Sequence, residues 1–246
     1  MSAFDTPIVL LHGWGFTPAI WQNVIESLVQ TGIARDRILA PALPLETNPS
    51  ASAIVDALGS QLPASAHLVG WSLGGELALA FAQKFPDRVA SLTLISSTPC
   101  FMNQDDWQAG QPSTLLDDFG ERLANNPAAL LKRFSMLIRH GDAEAARDRA
   151  LTERLSLASE PDPVRLAAGL KLLRCIDLRS GVKSITAPIL LLHGTQDAVV
   201  PVTAAKWLQH KTSTALQRID NASHALPLTH ADLLAHHLST LTRSCV

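Results

Sequence analysis

Short apolar runs, rich in Leu, Ile and Val and bounded by turn residues, punctuate the chain at 7–13, 37–43, 67–72, 89–97, 187–194 and, more weakly, 215–220. Within them the apolar character is nearly continuous, as expected of strands covered on both faces in a parallel sheet. Between the runs the period lengthens. Residues 18–30 bring Ile20, Trp21, Val24, Ile25 and Leu28 to one helical face and stop at Gly32. Residues 50–62 and 73–85 behave similarly, the latter ending before Pro86. This alternation predicts an α/β fold with a mostly parallel, doubly wound sheet.

From 104 to 182 the alternation stops, and the chain reads as helices broken by Pro and Gly until a strand pattern returns at Pro188. An all-helical stretch between two strands of one sheet is no simple crossover. Residues 1–103 and 183–246 are therefore expected to form the core, with 104–182 inserted as a helical lid above the C-terminal edge of the sheet.

Composition narrows the class. With 246 residues, 47% hydrophobic and 17% charged, and net charge −2, the chain reads as a soluble globular protein rather than a disordered, membrane-bound or nucleic-acid-binding one. Cys100, Cys175 and Cys245 are too few and too scattered for a disulfide framework or a zinc site, which favours a reducing compartment. The N-terminal stretch lacks the basic region and cleavage site of a signal peptide, so a cytoplasmic location is expected.

Gly70-Trp71-Ser72-Leu73-Gly74 fits G-x-S-x-G between an expected strand and an expected helix. That context makes the pentapeptide a candidate nucleophile elbow rather than an ordinary turn containing serine. A hydroxyl is a weak nucleophile at neutral pH and needs a base, which in turn needs an orienting acid. In this fold the partners follow in the order Ser, acid, His, each beyond a strand end. Asp197 follows the 187–194 run and His224 the last one; Asp220 is an alternative acid with a shorter reach, and His12 suits a structural role. The backbone N–H groups of Leu73 and Trp14 are the candidate oxyanion donors.

With these residues in place, the chain resembles the α/β-hydrolase superfamily over nearly its whole length. More narrowly it is similar to the biotin-synthesis carboxylesterases acting on pimeloyl-[acyl-carrier protein] methyl ester, through LLHGWG, GWSLGG, SSTPCF with DDW, and GLKLLRCIDLR. The resemblance implies a helical lid, a Ser72, His224 and Asp197 triad, and an oxyanion hole at Trp14 and Leu73. It also implies methyl ester hydrolysis releasing methanol, with no metal or organic cofactor. The partner implied is an acyl-carrier protein bearing a pimeloyl methyl ester, and the protein is expected to be a monomer. One departure is the segment LAPALPLETNPS, which stands where related hydrolases often carry D-x-P-G-x-G-x-S.

Residues 132–174 hold nine basic and six acidic side chains, +3 in a chain of net −2. Such a surface could steer an acidic carrier, with Arg133 and Arg147 as the contact candidates, or simply solvate the lid helices. Trp14, Trp71, Phe101, Phe134 and Leu73 are candidates for an acyl slot, although apolar residues there could equally be plain core. A general short-chain carboxylesterase, another lidded hydrolase and a non-catalytic ligand-binding fold stay open as alternatives.

Overall fold

The computed structural model describes residues 6–46 and 50–244; Cys245 and part of the LAPALPLETNPS segment lie outside them. Six parallel strands form one sheet in the order β2-β1-β3-β4-β5-β6. They are β1 (Ile8–Leu11), β2 (Ile38–Leu39), β3 (Ala66–Trp71), β4 (Val89–Ile95), β5 (Ile189–Gly194) and β6 (Ala215–Ile219). The apolar runs mark them in register: Ile8 pairs with both Ile38 and His67, and Leu92 with Ile189. Every residue of β1 and β3 is buried, whereas β6 at the edge exposes most of its length. Continuous apolarity thus tracks burial on two faces.

Flanking the sheet are α1 (Gln22–Gln30), α2 (Ala51–Gln61), α3 (Leu73–Lys84), and, after the insertion described next, α8 (Val202–Thr212), α9 (Leu226–Thr229) and α10 (Ala231–Ser244). Helix α1 is preceded by one 3-10 turn at Pro18–Trp21, so the expected helix 18–30 begins in a tighter form. Ser50 caps α2 by accepting from the N–H of Ala53 at 3.2 Å.

Between β4 and β5 the chain leaves the sheet for α4 (Ser113–Asn125), α5 (Pro127–Ile138), α6 (Leu151–Ala158) and α7 (Pro163–Cys175). Of the helical pattern expected over 104–182, the part after Ile138 resumes only at Leu151. Gly141 takes a φ of +79°, and the Asp142 carboxylate accepts from the N–H groups of Glu144 and Ala145, both at 2.9 Å. These local bonds favour turns over helix. The insertion packs onto the loop after β1: Glu160 N–H donates to Gly15 O and Thr17 N–H to Ala158 O, while Arg165 donates to Leu43 O at 2.8 Å.

Among the described residues no helix is long and apolar enough to cross a membrane.

Candidate active site

Strand β3 ends at Trp71 and α3 starts at Leu73, so the whole reversal falls on Ser72, with φ 55° and ψ −125°. That region disfavours any side chain, and such strain concentrates at functional sites. Close packing enforces it. A Cβ on Gly70 would collide with the backbone of Gly74 and Gly75, and one on Gly74 with the carbonyls of Leu11 and His12. Ser72 O accepts from Gly75 N–H at 2.8 Å and from the Ser97 hydroxyl at 2.9 Å. The serine is therefore held by its backbone while its hydroxyl sits at the apex.

Leu73 opens α3, so helix geometry leaves its N–H without an intrahelical acceptor, beside the positive end of the helix dipole. The loop after β1 approaches from the other side: a Cβ on Gly13 would lie 3.1 Å from the Ser72 Cβ. Within this loop His12 bridges Gly13 O at 3.0 Å and the N–H of Leu43 at 3.2 Å. The bridge requires a neutral ring that donates from Nδ1 and accepts at Nε2. Burial pushes the His12 imidazole down to about 4, in keeping with a structural role.

The acid and the imidazole expected from the sequence meet. His224 Nδ1 lies 2.8 Å from Asp197 Oδ2, and both side chains are fully buried. Asp197 Oδ1 accepts from the N–H groups of Val199 and Val200, each at 2.9 Å. Burial pushes the Asp197 carboxyl up, but the His224 charge and hydrogen bond, with His193 and the Val200 N–H, outweigh it and hold it below the ordinary value. Asp220, the alternative acid, is exposed. His193 is buried in β5 with Nε2 2.9 Å from Val200 O. His224 Nε2 is buried and, among the described residues, has no hydrogen-bond partner, Ser72 Oγ included. It is the one imidazole nitrogen of the pair left to take a proton.

Ser72 opens into a narrow apolar cavity of about 20 Å³, lined by Trp14, Phe101 and Phe134 together with Phe119 and Leu170. Trp14 joins the loop after β1 to the insertion. Its ring meets Phe134 edge-on at 4.9 Å, and its indole N–H donates to Leu166 O at 2.8 Å. Leu73, expected in the same slot, is not among the lining residues, and neither is Trp71. Its ring packs against Phe16 and His224, both at 5.3 Å, and its indole N–H donates to His224 O at 2.9 Å. As the last strand residue it supports the imidazole instead of facing the cavity.

Buried acids are not foreseen from the sequence, Glu76 and Asp142 among them. Glu76, four residues after Ser72, has both carboxylate oxygens buried without a hydrogen-bond partner, and burial holds it well above the usual range. Its place on the inner face of α3 was the available signal. Asp142 counted only as one of the insertion's charges, yet it is buried and bonded to the loop bearing His224. Cys100 is buried, its thiol pushed up to about 11 chiefly by burial, and packs as a small apolar side chain.

Of the two basic contact candidates, Arg133 is exposed on α5 and Arg147 is exposed while paired with Glu144 at 2.8 Å. Other insertion charges are committed internally: Arg165 to Glu160 at 2.7 Å, Arg174 to Asp117 at 2.6 Å, and Arg154 to Asp148.

A parallel sheet, a strained serine between strand and helix, and an Asp-His pair after later strands define a hydrolase architecture. Residues 8–237 match the alpha/beta hydrolase family, and the chain belongs to that family. More particularly, it is 36% identical over 237 residues to the pimeloyl-[acyl-carrier protein] methyl ester esterase of Aromatoleum aromaticum, covering 92% of this chain and 93% of that protein. The protein of the same name from Nitrosomonas europaea is 34% identical, covering 89% of this chain and 88% of its own. Among solved structures, a bromoperoxidase from Bacillus anthracis superposes with TM-score 0.84 at 19% identity, covering 97% of this chain and 92% of that one. An esterase from Exiguobacterium antarcticum gives 0.79 at 20%, with the same coverage. These structural likenesses concern the fold alone.

Proposed function

We propose that the protein is a serine carboxylesterase that hydrolyses the methyl ester of a pimeloyl chain carried by acyl-carrier protein, using Ser72, His224 and Asp197. The chemistry rests on one observation, the buried 2.8 Å bond between His224 Nδ1 and Asp197 Oδ2. That bond fixes the tautomer whose Nε2 is free to act as a base. The substrate rests on the relatives of that name, similar over most of the chain.

Ser72 Oγ attacks the ester carbonyl as His224 Nε2 takes its proton, and Asp197 stabilises the resulting imidazolium. The N–H groups of Leu73 and Trp14 receive the oxyanion. Collapse breaks the bond to the methoxy oxygen, which leaves as methanol with the proton from His224. Water, deprotonated by the same imidazole, then hydrolyses the acyl-enzyme to the pimeloyl carboxylate and free serine. No step calls for a metal or organic cofactor.

Residues 104–182 act as the lid of this site, with Phe101 and Phe134 flanking the acyl chain and Arg133 and Arg147 meeting the acidic carrier. The narrow cavity beside Ser72 widens by movement of these side chains or of the lid when the chain enters. A monomer in a reducing cytoplasm completes the reading.

Turnover of pimeloyl methyl ester on carrier protein, compared with the free ester, tests the assignment. Preference for the carrier-bound form is expected; equal or better use of free short esters would make the protein a general carboxylesterase. Labelling by a fluorophosphonate tests the nucleophile, and a protein that gives no adduct on Ser72 is a ligand-binding relative and not an esterase.

A further inference from the structure

The loop bearing His224 is gripped from outside the hydrolase core. Asp142 lies in the turn segment between α5 and α6, on the insertion, and is 4% exposed. Its Oδ2 accepts from the Ser223 N–H and the Ser223 hydroxyl, both at 3.0 Å, and from the Thr229 hydroxyl at 3.1 Å. Its Oδ1 takes the N–H groups of Glu144 and Ala145. Alongside, Ala143 N–H donates to Asn221 O at 3.0 Å. Ser223 immediately precedes His224, and Thr229 ends the helical turn that follows it, so the contacts bracket the imidazole on both sides.

We propose that Asp142 is a positioning residue for His224, its buried carboxylate tying the lid to the loop that presents the base. The proposal rests on the reading of His224 as that base. Three anchors fix this residue: Asp197 holds the ring, Trp71 the carbonyl, and Asp142 the flanking backbone. Only the last belongs to the insertion. A buried carboxylate costs free energy unless its lone pairs are filled, and here four donors from Glu144, Ala145 and Ser223 fill them, while the Thr229 hydroxyl is shared between Asp142 and Ala225 O. Burial pushes this carboxyl up, yet the Ser223 and Ala145 N–H groups, the Ser223 hydroxyl and the His230 charge outweigh it and keep it ionised. An amide cannot substitute, because its NH₂ would face a donor already in place. The base is thus in register only while the 139–150 segment is seated on the 221–229 loop.

The test compares Asp142→Asn and Ser223→Ala with wild type on a small soluble methyl ester, which needs no carrier docking. Four readouts apply: kcat and KM separately, the rate of Ser72 phosphonylation by a fluorophosphonate, the downfield NMR resonance of the His224 Nδ1 proton, and the melting temperature. For folded Asp142→Asn, kcat and the phosphonylation rate fall by about a hundredfold, as misplacing a reacting group by about 1 Å can cause. KM stays within about twofold, and the resonance shifts or broadens. Ser223→Ala, which removes one hydroxyl and leaves the backbone donor, loses about fivefold in the same readouts. A folded Asp142→Asn protein with unchanged kcat and an unmoved resonance overturns the proposal, even if its melting temperature drops. Should that variant not fold, unchanged kcat in Ser223→Ala overturns it. A wild-type protein that the fluorophosphonate does not label refutes the esterase reading itself, a separate failure.

Discussion

Ser72 and His224 are held by different means. Around Ser72 the backbone does the work: glycines at 70 and 74 let β3, α3 and the loop after β1 close to distances that exclude a Cβ, and the turn is forced onto one strained residue. Around His224 side chains do it, with Asp197, Trp71 and Asp142 each supplying an anchor from a different part of the chain. The first arrangement rests on backbone packing at the junction of β3 and α3, with the loop after β1 closed against it. The second is assembled by side chains from distant segments, one of them in the insertion, so a movement of the insertion would reach the imidazole.

The largest effect expected is that of Ser72→Gly. It removes the nucleophile and lowers kcat by on the order of 10⁵-fold or more, measured on any ester the wild type cleaves. It also relieves the strain at φ 55°. Strain of about 1–3 kcal/mol, less the chain entropy of a glycine, about 0.5–1 kcal/mol, leaves a gain of about 1 kcal/mol in urea unfolding. An inactive variant no more stable than wild type would show that the elbow is not strained. Asp197→Asn comes next, with a loss of about 10⁴-fold in kcat, because the amide no longer selects the tautomer that leaves Nε2 free; near-normal kcat would point to another acid.

This division decides what was legible in the sequence. The strands, the elbow and the order of Ser, Asp and His follow from local patterns, and the structure brings Asp197 and His224 together as expected. Asp197 is preferred to Asp220 in the sequence on reach alone, and the structure pairs His224 with Asp197 while Asp220 lies exposed. Trp71 was misplaced because adjacency in sequence to Ser72 does not fix direction: the strand turns its indole towards His224 and Phe16. Asp142 was illegible, because a lone aspartate in a charged, helix-like stretch gives no sign of a partner 81 residues away.

A third test probes the seam between the serine side of the site and the insertion, where His12 contacts Leu43 N–H and Leu43 O receives Arg165 from the insertion. In the folded protein this imidazole resists protonation down to about pH 4, against an ordinary value of 6.5. Between those values the unfolded chain binds more protons. Stability contributed by neutral His12 is therefore complete above about pH 6.5 and is lost as pH falls towards 4, by about 3 kcal/mol in all. Urea unfolding across that window should show a shallower pH slope for His12→Asn than for wild type. Equal slopes would mean that His12 does not stay neutral and that the seam is looser than its hydrogen bonds imply.

The smallest effect lies farthest from the chemistry. Arg133 and Arg147 are exposed, and Arg147 already has Glu144 as a partner, so neither stabilises the fold appreciably. Charges so placed act on encounter with a partner rather than on the bound reaction. Reversing both, Arg133→Glu with Arg147→Glu, should raise KM for carrier-bound ester by about tenfold at low salt, with kcat and the free ester unaffected. The difference should shrink as salt shortens the Debye length to about 8 Å at physiological ionic strength. If the double variant instead slowed the free ester equally, the insertion would be acting on His224 through geometry, and its charged face would have no separate part in selecting the substrate.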